Sequence, residues 1–251
     1  MSDMDVDIRL RPELPALENP DIAQLSRARL ESMLAAGEEI LECLRVLEKA
    51  DLNLVGEVLR GHGTFYELEH YPPDDVFDRD SQAQYYYHAH RGMPGENGHF
   101  HTFLRAPGMP DSVKPVAYSG SEPWPTGDAA LSHLIAISMD TYGLPIGLFA
   151  VNRWVTAEAW YDADDVIRML DRFVVDHAFP SWPVNRWIGA MVRLFRPQIE
   201  ALIRHRDASL AAWRHAYPEV DVFEDRRLEV TGVLRIDVDD QISSVRSALA
   251  R

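Results

Sequence analysis

Four of the ten histidines lie between positions 88 and 101, as two His-x-His pairs. His88 and His90 close one aromatic, β-favouring run, and His99 and His101 open the next. The glycine- and proline-rich stretch at 92–98 separates the two runs, so the sequence predicts a β-hairpin. Histidine is the most common metal ligand, and crowded imidazoles repel one another once protonated unless something holds them. The pattern therefore predicts a metal site with these four histidines as ligands.

Whether the four rings meet depends on the pairing of the two strands. Side chains two residues apart in a strand point to the same side. A register with His88 opposite His101 and His90 opposite His99 sets all four rings on one face, with opposite Cβ atoms about 4.5–5.5 Å apart. A slip of one residue would put the pairs on opposite faces and remove the site.

The residue types around the histidines narrow the choice of metal. Imidazole suits zinc, iron, copper and nickel, and an added carboxylate favours iron or manganese. Glu96 in the loop, or Glu67 and Glu69 before the hairpin, could supply that carboxylate, although Glu96 fits a solvated loop residue equally well. The expected cofactor is a divalent transition metal, with zinc, iron and manganese as the alternatives.

Three further residues are candidates for catalysis. Glu96 is a candidate catalytic residue, and Arg91 and Arg105 could orient an anionic group, although arginines that flank a strand are more often solvated. If all four histidines bind, the tetrahedral shell is closed and the metal is structural. If three bind, one position stays open for water or substrate, and the fourth histidine could act as general base.

Three functions fit these residues. The leading hypothesis is a metal-dependent enzyme that acts on a small molecule, with hydrolase and oxidoreductase both open. The second is a metal- or ligand-binding module without catalysis. The third is a metal-free phosphoesterase in which histidines act as acid and base, and it would keep its activity after chelation.

The hairpin also resembles an uncharacterised bacterial family, a domain of unknown function, with Tyr-Tyr-x-His-x-His-Arg ahead of Gly-His-Phe-His-Thr-Phe. The resemblance is clear over residues 64–105 and implies no activity. The matching residues here are Tyr85, Tyr86, His88, His90, Arg91, Gly98, His99, Phe100, His101, Thr102 and Phe103.

Composition excludes several other classes. A net charge of −15 and a pI near 5.0 argue against non-specific nucleic-acid binding, which needs a basic surface. Apolar runs stay short of the roughly 18 residues that span a bilayer, and the acidic first residues do not resemble a secretion signal. Cys43 is the single cysteine, and its neighbours favour packing over reactivity. We expect a cytoplasmic protein with a small-molecule partner; the sequence leaves its oligomeric state open.

The fold class follows from the strand and helix patterns. Residues 1–20 predict an extended or disordered lead, and residues 21–251 a single α+β domain with the hairpin at 85–105. We expect an antiparallel sheet of about five or six strands, packed on one face by long helices. Apart from the hairpin, the predicted strands are 64–70, 131–139, 144–152 and 228–238, and the predicted helices are 30–50, 53–60, 162–173, 181–203 with a kink at Pro197, and a last one ending at 249.

Three features between these elements carry their own expectations. Proline-rich residues 106–128 are a candidate cover for the sheet face that holds the histidines. The segment from Asp78 to Asp80 predicts a solvated turn, because the glycine and distal glutamate of a calcium loop are missing. His133 predicts a buried structural histidine, with a fifth ligand or a partner of a ligand as the alternative.

Overall fold

The computed structural model describes residues 16–90 and 95–251. Within these residues, six strands form one antiparallel sheet, and each strand pairs with its neighbours in chain order. The strands are β1 (Tyr71–Phe77), β2 (Ala83–His88), β3 (Gly98–Arg105), β4 (Leu131–Met139), β5 (Pro145–Val151) and β6 (Val230–Arg235). Most of the predicted lead lies outside the described residues, and the single-domain boundary stays a prediction.

Seven α-helices accompany the sheet in the described residues. They are α1 (Arg27–Glu48), α2 (Leu54–Leu59), α3 (Arg153–Thr156), α4 (Ala163–Met169), α5 (Trp182–Leu194), α6 (Arg196–Ala216) and α7 (Val238–Leu249). Helix α1 packs against α5 and α7, and α6 packs against β6. The predicted α+β class, with long helices on an antiparallel sheet, is confirmed.

The two faces of the sheet have different roles. Tyr87, Phe100, Ile137 and Leu148 lie opposite one another on successive strands and belong to the core formed with the helices. Their neighbours in sequence point to the other face, because side chains alternate along a strand. That second face carries His88 and His99. The helices therefore pack on the opposite face of the strands that carry these histidines.

Local sequence explains where the main helices begin. The Ser26 side chain accepts a hydrogen bond from the Arg29 amide at the start of α1, and Asn53 caps α2 in the same way. Asp162 caps α4.

Cys43 is buried on α1, and burial raises the pKa of its thiol to about 11. Cys43 therefore packs in the core as a neutral thiol, as the sequence predicts.

The kink predicted at Pro197 is a complete break. Helix α5 ends at Leu194, α6 begins at Arg196, and Phe195 between them has φ −96° and ψ 19°. Proline has no amide proton and its ring clashes with the preceding turn. Those constraints are harmless at the first positions of a new helix, where Pro197 lies, so the chain restarts instead of bending.

The strand predicted at 64–70 is wrong. Those residues form a loop, and β1 begins at Tyr71, within the proline- and aspartate-rich stretch. Leu68 adopts φ +69°, which interrupts an extended strand in spite of the alternating sequence. Strand β1 lies at the edge of the sheet, where proline is tolerated because one side needs no ladder hydrogen bonds.

The predicted turn at 78–80 is present, with Arg79 and Asp80 exposed as expected, but Asp78 is buried. Asp78 accepts hydrogen bonds from the amides of Asp80 and Ser81 through one oxygen and of Asp176 through the other, and it is 6% exposed. Burial would by itself raise the pKa of Asp78, but these amide hydrogen bonds outweigh it and lower the pKa. Asp78 therefore joins the β1–β2 turn to the segment before α5.

Residues 106–128 form an irregular segment with two short 3-10 turns. The Val116 amide donates to the Trp160 carbonyl, and Tyr118 stacks on Trp124. Both rings of that stacked pair contact Phe223. These contacts place the middle of the segment against an aromatic cluster, so they do not bear out a cover over the histidines.

Candidate metal centre

The hairpin pairs His88 with His99 and Tyr86 with His101. The predicted register, with His88 opposite His101, is therefore wrong by two residues. A shift of two leaves every side chain on its original face, because the side-chain period of a strand is two. The condition on which the site depends, that both pairs face the same side, is met.

Three of the histidines converge. One ligand nitrogen each from His88, His90 and His99 lies within 4.8 Å of the other two. The ring centroids of His88 and His99 are 4.6 Å apart, and that of His90 lies 4.8 Å from His88 and 5.2 Å from His99. His99 is fully buried and His88 nearly so, whereas His90 is partly exposed. We call these residues the three-histidine site.

Glu96 contacts this site from the loop. Its Oε1 lies 2.7 Å from Nδ1 of His99, and its Oε2 accepts a hydrogen bond of 3.0 Å from the Ser138 hydroxyl. The Glu96 side chain is 5% exposed. Neither sequence interpretation describes this position, since Glu96 is not a solvated loop residue and faces a histidine nitrogen. Metal-binding histidines commonly donate their second N–H to such a carboxylate, so His99 would bind a metal through Nε2.

Replacing Glu96 tests this arrangement. In Glu96→Gln, the amide cannot hold the His99 ring as an anionic acceptor does, and we expect metal affinity to fall by about 10–100-fold. Competition with a coloured chelator measures that change. The exposed Glu67→Gln variant is the control and should keep wild-type affinity. Equal affinities in the two variants would contradict a supporting role for Glu96.

The fourth histidine has a different principal partner. Nδ1 of His101 lies 2.9 Å from Nε2 of His133, and both residues are buried. Burial lowers the pKa of His133 to about 3, so this ring is neutral and one of the two histidines donates to the other. The His101 ring remains close to the site, with its centroid 4.9 Å from that of His99 and 5.1 Å from that of His88.

A buried carboxylate lies behind His133. The His133 amide donates to Glu158 Oε2, and the Thr156 hydroxyl donates to Oε1. Burial raises the pKa of Glu158 to about 7, although the positive charge of Arg206 acts to lower it. His133 is thus a buried, hydrogen-bonded histidine, as predicted. It also contacts His101, a candidate ligand, which fits the alternative prediction of a partner of a ligand.

Sequence reasoning missed His70. Its ring stacks on Tyr86 at 3.6 Å between centroids and lies edge-on to His88 at 5.7 Å, and its Nδ1 is 2.9 Å from Asp75 Oδ1. Within the predicted strand 64–70, His70 is only one alternating residue. Its nearness to His88 follows from the pairing of β1 with β2, which begins one residue later, at Tyr71 opposite Tyr87.

Of the two candidate arginines, the structure describes only Arg105, and this residue lies far from the three-histidine site. Arg105 ends β3, six residues beyond His99, where it donates to Gln84 and lies over the Phe77 ring. At about 3.4 Å per residue, that is on the order of 20 Å from His99. Arg91 lies outside the described residues. A role for either residue in orienting an anionic group stays a prediction.

The geometry defines the class of protein, an α+β protein with a candidate three-histidine metal site at one end of an antiparallel hairpin. The chain belongs to a protein family described as a domain of unknown function, DUF6969, whose profile matches residues 34–236. The matched region includes the hairpin and all six strands, so the three-histidine site lies within it.

The other comparisons add no relative. Neither the curated proteins nor the solved structures contain a match to this chain. Across the residues that the structure describes, no helix combines the length and apolar character needed to cross a membrane.

Proposed function

We propose that the three-histidine site binds a divalent transition metal and that the protein is a metal-dependent enzyme acting on a small molecule. The convergence of His88, His90 and His99 within 4.8 Å supports this proposal. Tetrahedral zinc with bonds of about 2.0–2.1 Å holds its nitrogen ligands about 3.3 Å apart. Metal binding would require the three nitrogens, which lie within 4.8 Å of one another, to approach that separation.

The set of ligands favours zinc over iron and manganese. Iron and manganese sites usually include a carboxylate ligand, whereas Glu96 is engaged with His99 and Ser138. Three imidazoles leave one tetrahedral position for water or substrate. Zinc in such a position lowers the pKa of a bound water to about 7 and polarises a carbonyl or phosphoryl oxygen, so hydrolysis is the reaction class that we favour.

The nearness of His101 supports a second candidate, a binding module without catalysis. His101 is fully buried, and its ring lies no farther from His99 than that of His90 does. If His101 bound the metal through Nε2 while its Nδ1 kept the contact with His133, four imidazoles would close the shell. A closed shell leaves no position for a substrate.

Metal content tests the proposal directly. We expect the untagged full-length chain, grown with zinc, iron and manganese supplements, to retain about one equivalent of one transition metal. The His90→Ala/His99→Ala variant should retain less than about a tenth of an equivalent. His215→Ala, at an exposed position on α6, is the matched control and should retain the wild-type content. A transition-metal content below about a tenth of an equivalent in the wild-type protein would contradict the proposal and favour metal-free chemistry.

Cobalt substitution separates the enzyme from the binding module. Azide added to the cobalt-loaded protein should change its visible absorption if a coordination position is open to small anions. An unchanged spectrum would indicate four protein ligands and support the module. Repeating the titration with His101→Phe shows whether His101 supplies the closing ligand.

A further inference from the structure

A cavity lies between helix α6 and the middle of the irregular segment 106–128. Its volume is about 240 Å³, and it opens to solvent. Drug-sized ligands use pockets of about 300–1,000 Å³, so this cavity suits a smaller molecule. We call it the α6 pocket. Its lining includes Val116, Trp160, Asp162, Leu210, Arg214 and Phe223.

The middle of the α6 pocket is apolar. Trp160, Leu210 and Phe223 line it and are buried, and the ring centroids of Trp160 and Phe223 lie 5.3 Å apart. The Val116 amide donates to the Trp160 carbonyl at 2.8 Å, which fixes segment 106–128 as part of the wall. Apolar and aromatic walls with a few polar groups are the usual composition of a small-molecule site.

The two ends of the pocket are set by one face of α6. That face contributes Asp207, Leu210, Ala211 and Arg214. Seven residues of helix cover about 10.5 Å, so Asp207 and Arg214 lie two turns apart, at opposite ends. The Ala163 amide donates to Asp207 Oδ2 at 2.7 Å, which brings the neighbouring Asp162 to the Asp207 end. At the other end, the Arg214 guanidinium lies 5.5 Å from the centroid of the Phe223 ring.

The two ends carry opposite charges that are available to a ligand. Asp207 is paired with Arg206 at 2.7 Å. Asp162 is exposed and accepts the Asp165 amide through one oxygen, and it forms no ion pair with another described residue. Arg214 is exposed too, and no carboxylate in the part of the chain that the structure describes pairs with it. The pocket thus presents a carboxylate at one end and a guanidinium at the other.

We infer that the α6 pocket binds a small molecule with an ammonium group at one end, a carboxylate at the other and an apolar or aromatic middle. The ammonium group pairs with Asp162, the carboxylate pairs with Arg214, and the middle contacts Trp160 and Phe223. The pocket shares no lining residue with the three-histidine site, so its ligand binds whether or not a metal is present.

Three compounds that share a benzene ring test the inference. 4-(Aminomethyl)phenylacetic acid carries both charged groups, 4-methylphenylacetic acid only the carboxylate and 4-methylbenzylamine only the ammonium group. Their dissociation constants for the full chain are measured by NMR titration up to about 50 mM, because a ligand of about a dozen non-hydrogen atoms binds in the millimolar range. We expect the compound with both charges to bind about fivefold more tightly than either analogue, the usual strength of an exposed ion pair.

Two variants assign the charged groups to the two ends. Arg214→Gln should weaken both carboxylic acids about fivefold and leave 4-methylbenzylamine unchanged. Asp162→Asn keeps the cap of α4, because asparagine caps helices as well as aspartate does, and it should weaken only the two amines. Arg226→Gln is the matched control, since Arg226 is also an exposed arginine over an aromatic ring, that of Trp154, and should keep all three constants.

A third variant tests the pocket itself. Ala211→Leu places a larger side chain in the pocket from an exposed helix position, so it should abolish binding of all three compounds. Unchanged binding in Ala211→Leu would place the compounds elsewhere and overturn the inference. Equal constants for the three compounds in the wild type, no binding of any of them, or an equal loss in Arg226→Gln and Arg214→Gln would overturn it as well.

Discussion

Removing the metal from the full chain is expected to lower its melting temperature by about 8–16 °C. The reason is linkage, since a ligand that binds only the folded state at about 1,000 times its dissociation constant stabilises that state by about 4 kcal/mol. For a chain of this size, about 1 kcal/mol corresponds to roughly 2–4 °C. The site joins the end of β2 to the start of β3, and the unfolded chain does not hold these histidines together.

The measurement is calorimetry of metal-loaded and chelator-treated protein, followed by zinc add-back. His90→Ala/His99→Ala should melt at one temperature whether or not zinc is present, and His215→Ala should show the wild-type difference. A metal-dependent shift of similar size in the double variant would mean that zinc binds elsewhere. No shift in the wild type would contradict a metal site that stabilises the hairpin.

Trp187→Ala is expected to destabilise the protein by about 3–5 kcal/mol, the usual cost of truncating a buried aromatic side chain. Trp187 on α5 is fully buried and lies 5.5 Å from Phe100, between ring centroids. Phe100 stands between His99 and His101 on β3 and points to the opposite face. The helical layer thus supports the strand that carries two of the histidines.

Two further variants provide reference values for the destabilisation expected in Trp187→Ala. Trp187→Phe should cost less, because it leaves a smaller cavity and removes an indole N–H that has no hydrogen-bond partner among the described residues. Trp182→Ala, half exposed on the same helix, should cost no more than about 1 kcal/mol, a figure that includes its cation–π interaction with Arg186. Chemical denaturation of the three variants measures these differences. Equal destabilisation in Trp187→Ala and Trp182→Ala would contradict the packing argument.

Much of the fold was predictable because periodicity is a local signal. The apolar stripe from Met33 to Leu47 predicts α1, and the apolar runs at 131–139 and 144–152 predict β4 and β5. The strand expected at 64–70 shows where this signal is insufficient. Its alternation is genuine, but Leu68 takes a left-handed conformation and the edge strand begins at Tyr71 in spite of two prolines. Edge position depends on the rest of the sheet, which local sequence does not encode.

The sequence by itself determined that His88 shares a face with His90 and that His99 shares a face with His101, because side chains two residues apart in a strand point to the same side. Only the tertiary structure decided which of them meet. Pairing His88 with His99 brings His90 into the three-histidine site and leaves His101 beside His133, thirty-two residues away in sequence. The contacts of Glu96 with Ser138 and of His70 with His88 are likewise set by strand pairing across the sheet. Contacts between distant residues depend on register and packing, which is why the pattern located the site but not its arrangement.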